Sequence, residues 1–285
     1  MLALYLFAVI FFVQDQQKPL PELKPFLEEL RKTLHTDGLL LSQYTYTDKL
    51  TEIELDSKGK AKKTELSAFQ VFPGSPGHVG YRRQIVRNGK PLSPEESKKE
   101  EEALQKRIVD AERRRSQISP AQREQTRAAR LRREQQIIDD ALGVFDVEEV
   151  GRENIDGRPA ILLKFHPGQK YKPKTFEGKS MQHVGGKAWI DEQDHQVVRV
   201  EIEVIDSISI GLGILAKLEK GASIVSERRK INDEIWLPVK TDVTLSAKVL
   251  LLKGFNMRQI NEYSDHKKYT VDTVLKFSDI EGPQP

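Results

Sequence analysis

The sequence predicts an α+β chain dominated by an antiparallel, meandering sheet curved around one face, and three observations predict it. From Phe145 onward apolar and polar residues alternate with period two: Val198, Val200, Ile202 and Val204 stand against Arg199, Glu201 and Glu203, and Val239, Val243, Leu245, Ala247 and Val249 against Lys240, Asp242, Thr244, Ser246 and Lys248. These strands follow one another without intervening helices, which favours antiparallel neighbours over crossover units. Helical spacing is confined to a stretch near the N-terminus and to a block of dense charge between Glu95 and Asp140.

The first element is an apolar run, Leu2 to Val13, followed at once by Gln14, Asp15, Gln16 and Gln17. As a helix it would reach about 18 Å, short of a hydrocarbon core of about 30 Å, and its length suits the apolar region of a signal peptide. No Lys or Arg precedes it and no A-x-A site follows, so a buried N-terminal strand or helix is the competing reading. Residues 1–17 are taken as a signal peptide, which places the chain in the periplasm or cell envelope. Residues 18–280 are taken as one β domain and 281–285 as a frayed tail.

Pro21 to Leu34 carries Leu23, Phe26, Leu27, Leu30 and Leu34 at helical spacing, an amphipathic helix. Period two begins after Asp37-Gly38, with a hairpin turn at Asp56 to Gly59, strands through Phe72 and from Val79 to Arg87, and a second turn at Asn88-Gly89. Ser93-Pro94-Glu95-Glu96 is a capping box with proline at the first helical position, and Ser119-Pro120-Ala121-Gln122 repeats it. Apolar seams at Leu104, Ile108 and Ala111, and at Ala128, Leu131, Ile138 and Leu142, predict a helical hairpin over 93–143 inserted between strands. Gly157 to Phe165 reads as a buried strand and Lys187 to Asp191 as another.

Composition narrows the function. A net charge of +3 is too mild for a dedicated nucleic-acid binder, and the absence of cysteine excludes disulfides, thiolate catalysis and a lipidated N-terminal cysteine. Six histidines are scattered without metal-binding spacing. Gly178-Lys179-Ser180 ends like a phosphate loop, but Pro173 stands where glycine is required. Asp191, Glu192 and Asp194 cluster beside a strand turn, where carboxylates normally serve the turn. No catalytic group, metal or cofactor is expected, and the chain reads as a binding protein rather than an enzyme.

Two features are candidates for binding. Arg113, Arg114, Arg115, Arg127 and Arg130 belong to an arginine-rich group in the hairpin. The readings are a solvated surface matched to the helix dipole, a contact with anionic lipid or a membrane-bound partner, and, last, nucleic acid, for which interleaved aromatic residues are missing. The runs Ile205 to Leu218 and Val249 to Phe255 are nearly uncharged. They are either core strands or the walls of a groove that the protein's own side chains leave unfilled. By alternation the candidate lining residues are Val198, Val200, Ile202, Val204, Ile210, Leu212, Ile214, Val243, Leu245 and Val249, with Trp189 and Trp236 as core anchors or walls.

The succession GRPAILLKFHP, KAWIDEQDHQVVRVEIEV and INDEIWLPVKTDVTL, behind an amphipathic helix, resembles the LolA, LolB and RseB superfamily of outer-membrane lipoprotein-sorting proteins. The likeness lies in a W-[IL]-D strand, a turn, a V-x-[RK]-x-E strand and a later W-L-P, and in order of elements it covers roughly Pro21 to Phe277. It implies a half-open β-barrel with helices over its concave side and acyl chains of lipid or lipoprotein in an apolar cavity. The arginine-rich hairpin is larger than a simple carrier needs. The rival reading is an envelope signalling-sensor protein that docks on a membrane partner through that hairpin.

Overall fold

The computed structural model describes residues 18–35, 37–73, 80–210, 216–249 and 254–268. The expected signal peptide, the frayed tail, Leu212 and Ile214 lie outside the described residues, as do the side chains of Ile210 and Val249.

In chain order the elements are α1 (Leu23–Thr33), α2 (Asp37–Leu41), β1 (Tyr44–Leu55), β2 (Ala61–Phe72), β3 (Tyr81–Arg87), β4 (Lys90–Pro91), α3 (Pro94–Ser116), α4 (Pro120–Val144), β5 (Phe145–Ile155), β6 (Arg158–Pro167), α5 (Phe176–Met181), β7 (Val184–Asp191), β8 (Val197–Val204), β9 (Ile208–Ile210), β10 (Ala216–Leu218), β11 (Ser223–Ile231), β12 (Ile235–Val249) and β13 (Phe255–Lys268). The strands form one antiparallel sheet in the order β4-β3-β2-β1-β13-β12-β11-β8-β7-β6-β5, with β9 and β10 as a short extension from β12. The ends of this path, β4 and β5, do not pair with each other, so the sheet is half-open, and the fold is α+β with mostly antiparallel strands. Because β1 pairs with β13, the first and last strands meet in mid-sheet.

Local chemistry sets the connections. Asn88-Gly89 and Asp156-Gly157 all take positive φ, the two-residue turn whose twist matches paired strands. At the β1–β2 turn Asp56 accepts the amides of Lys58 and Lys60. The Ser93 and Ser119 hydroxyls accept the amides of Glu96 and Gln122, and each of those side chains returns a bond to the capping residue's amide. α3 lies along β3, with Leu104 fully buried and Arg87 paired to Glu96 and Glu100. α4 runs into β5 without a loop.

The strands β6, β7 and β8 carry apolar residues on both faces. On one face α1 drives Phe26 and Leu30 into Ile161, Leu163 and Ile190. On the other, Ala160, Leu162, Trp189, Val198 and Trp236 form a separate cluster. A third cluster, Val184, Val204, Ile208 and Ala222, closes the end of the sheet near β9.

Candidate ligand cavity

Strand registers show where the α1 face of the sheet is apolar and where it is not. One row crosses the strands as Val147, Phe165, Gly186, Ile202, Ile224, Val243, Gln259, Glu52 and Glu65. The next runs Leu163, Ala188, Val200, Ser226, Thr241 and Asn261. The first is apolar over β5 to β8 and polar at β13, β1 and β2; the second is apolar over β6 to β8 and polar at β11, β12 and β13.

Between α1 and this apolar half lies an open cavity of about 740 Å³. α1 provides Leu23, Leu27 and Leu30, and Leu34 follows at its C-cap. The sheet provides Phe145, Val147, Leu163, Phe165, Val184, Ala188, Ile190, Val197, Val200 and Ile202, and Ala141, Leu142 and Met181 complete the wall. Lys24, Glu28, Arg31 and Asp146 are its charged members. The Phe145 and Phe165 rings pack at 4.7 Å, and Phe165 sits over Gly186, where an added Cβ would come within 2.9 Å of the ring.

α1 is held over the cavity by polar ties at its ends. Arg31 pairs with Asp139 at 2.6 Å, the Thr33 hydroxyl donates to the His195 carbonyl, and Gln196 donates to the Thr33 carbonyl. Before the helix, Arg152 donates to the Lys18 and Pro19 carbonyls while pairing with Glu192.

A second fastening joins α4 to α5. The fully buried Asp140 accepts the Tyr171 hydroxyl at 2.9 Å, the Lys174 amide at 3.0 Å, the Thr175 amide at 2.7 Å and the Thr175 hydroxyl at 2.6 Å. Burial raises its pKa, but these bonds outweigh burial and hold it at about 2. Gly178 packs so closely that an added Cβ would lie 2.3 Å from the Asp140 carboxylate. Ala141 and Leu142, next along α4, are cavity wall.

The residues chosen by alternation divide. Val200 and Ile202 line the cavity. Val198 does not: a bulge lets Ile190 pair with Val197 and Trp189 with Arg199, which turns Val198 to the opposite face beside Trp189 and Trp236. Val204 belongs to the closing cluster, against which Leu245 packs, and Val243 continues the apolar row beyond the cavity. The α1 leucines, Leu163, Phe165 and Ile190 were missed as cavity wall. The run GRPAILLKF is apolar on both faces, so alternation could not say which residues point inward; the helical spacing of Leu23 to Leu34 was the available signal for α1.

The polar half of the same face holds a second cavity of about 280 Å³, lined by Tyr44, Tyr46, Asp48, Arg82 and Arg130 among others. Burial pushes the Tyr46 hydroxyl up to about 12 and raises Asp48 despite the Asn261 amide that bonds it and Arg82 nearby. Of the other hairpin arginines, Arg113 pairs with Asp110 at 2.9 Å, Arg115 is half-buried, and Arg114 and Arg127 are exposed. The carboxylates of the IDEQDHQ turn serve structure. Asp191 accepts the amides of Gln193 and Asp194 and a two-pronged contact from Arg158, and Asp194 pairs with Lys230. Among the described residues no group of three His, Cys, Asp or Glu is placed to hold a metal ion, and no helix is long and apolar enough to cross a membrane.

No family model and no curated protein matches the chain. Among solved structures it is similar to a putative outer membrane lipoprotein-sorting protein domain from Vibrio parahaemolyticus, with 10% identity over 90% of this chain and 94% of that one and a TM-score of 0.33. A LolA superfamily protein from Nitrosomonas europaea shows 10% identity over 87% and 93% with a TM-score of 0.30. The Pseudomonas aeruginosa MucA/MucB complex shows 10% over 86% and 98% with a TM-score of 0.22.

Proposed function

We propose that the protein is a non-enzymatic carrier or sensor of the bacterial envelope that takes an acyl chain of a lipid or lipoprotein into the cavity between α1 and β5–β8. The observation that carries this reading is an apolar cavity of about 740 Å³ that the protein's own side chains leave open. Its size falls within the range of about 300–1,000 Å³ typical of small-molecule sites. Burying about fifteen methylenes at about 0.8 kcal/mol each supplies on the order of 12 kcal/mol before ordering costs, enough for stable uptake without a specific polar contact. Placement in the periplasm rests on the apolar N-terminal run.

The test is uptake of a fluorescent sixteen-carbon fatty acid by delipidated protein, with mass spectrometry of lipid retained through purification. Saturable uptake at one site supports the reading. No uptake together with no retained lipid overturns it.

A further inference from the structure

The arginines of α3 and those of α4 stand in opposite electrostatic situations. α3 begins with Glu95 and Glu96 and ends with Arg113, Arg114 and Arg115, the arrangement its own dipole favours. α4 reverses it. No acid lies in its first turn, Arg123 makes the first amide bond of the helix to the Ser119 carbonyl, and Asp139 and Asp140 lie near its far end. A cation at a helix N-terminus opposes the dipole, and Arg123, Arg127 and Arg130, spaced four and three apart, repel one another along one stripe.

Folding does not account for these charges. Among the described residues Arg114, Arg123, Arg127 and Arg132 have no carboxylate partner, and all four are exposed. From Glu112 to Arg133 there are eight arginines against two glutamates, a net of +6, which leaves the rest of the chain at −3 of the total +3. The segment has no aromatic residue, and its apolar side chains are Ile118, Leu131 and three alanines. That composition gives no anchor for a protein groove and no platform for stacked bases. A diffuse array of negative charge, by contrast, rewards unpaired arginines wherever they lie on the tip.

We propose that the tip of the α3–α4 hairpin docks on an anionic phospholipid surface through Arg114, Arg123 and Arg127. This surface is separate from the acyl cavity, and the proposal stands or falls independently of it. Each basic side chain near such a surface strengthens binding about fivefold, so removing three weakens it on the order of 100-fold. Arg123 opposes the dipole of α4 while Arg114 matches that of α3, so the two contributions offset and removing the three charges should leave folding stability near that of wild type.

The experiment is flotation of the full chain with vesicles of phosphatidylethanolamine containing 30% phosphatidylglycerol, and with vesicles lacking phosphatidylglycerol. The apolar N-terminal run would bind both kinds alike, so the readout is the difference between them and its loss with added salt. The expected result is salt-sensitive preference for the anionic vesicles. In the triple variant Arg114→Ala, Arg123→Ala, Arg127→Ala that preference should fall on the order of 100-fold, with a Tm near wild type and unchanged fatty-acid uptake. Lysine at the three positions should retain most of it. No preference for anionic vesicles, a triple variant that binds as wild type, or tighter binding to a single-stranded oligonucleotide than to vesicles would each overturn the proposal.

Discussion

Replacing Asp140 with Asn tests how the cavity wall is fastened. The carboxylate is fully buried and accepts bonds from Tyr171, Lys174 and Thr175. Lowering its pKa from 3.8 to about 2 means that the ionised form contributes on the order of 2 kcal/mol to folding. Asparagine keeps the shape but turns one acceptor into a donor facing donors, a buried mismatch costing about 1 kcal/mol or more. Asp140→Asn should therefore lower stability at pH 7 by about 2–4 kcal/mol, read from urea midpoints at constant m. The sign with pH follows from the depressed pKa: the wild-type contribution is complete above the unfolded value of 3.8 and is lost as pH falls through about 2. Other carboxylates titrate in both proteins and cancel in the difference. The gap should stay constant from pH 7 to about pH 5 and narrow between about pH 4 and pH 2. Equal midpoints at pH 7, or a gap indifferent to acid, would refute the reasoning.

Two further outcomes are expected from the cavity. Ala188→Phe places a ring among Leu163, Val200 and Ile190, so fatty-acid uptake should fall at least tenfold while circular dichroism and Tm stay near wild type. Phe26→Ala removes the central side chain by which α1 sits on the sheet and should cost about 3–5 kcal/mol in urea unfolding, with hydrogen exchange quickened most in α1.

The elements most legible in the sequence were those whose signal is local. Both capping boxes, the Asp56 to Gly59 turn and the strands β8 and β12 depend on residues a few positions apart, and the structure forms each of them. The antiparallel sheet followed from the succession of strands, while its being half-open was an expectation of the family resemblance alone. What was not legible depends on pairing between distant segments. The bulge that puts Val197 rather than Val198 beside the cavity is a property of the β7–β8 register, which neither strand shows alone. The fading of the apolar rows into Gln259, Glu52 and Glu65 required the strand order. Asp140 carried no signal in its own segment, since its donors lie more than thirty residues downstream.

Both tryptophans of the chain stand on the side of the sheet away from α1, their indole N–H groups donating to Glu153 and Asp194 and Arg199 and Arg158 lying over the rings. Intrinsic emission is therefore an honest gauge of unfolding and a deaf one for occupancy, since filling the cavity changes nothing that either indole touches. Titrations followed at tryptophan wavelengths would return a flat line for a loaded and an empty protein alike. A reporter must be carried by the ligand or introduced on α1, and a tryptophan signal that did move on loading would mean that the sheet itself flexes through its thickness.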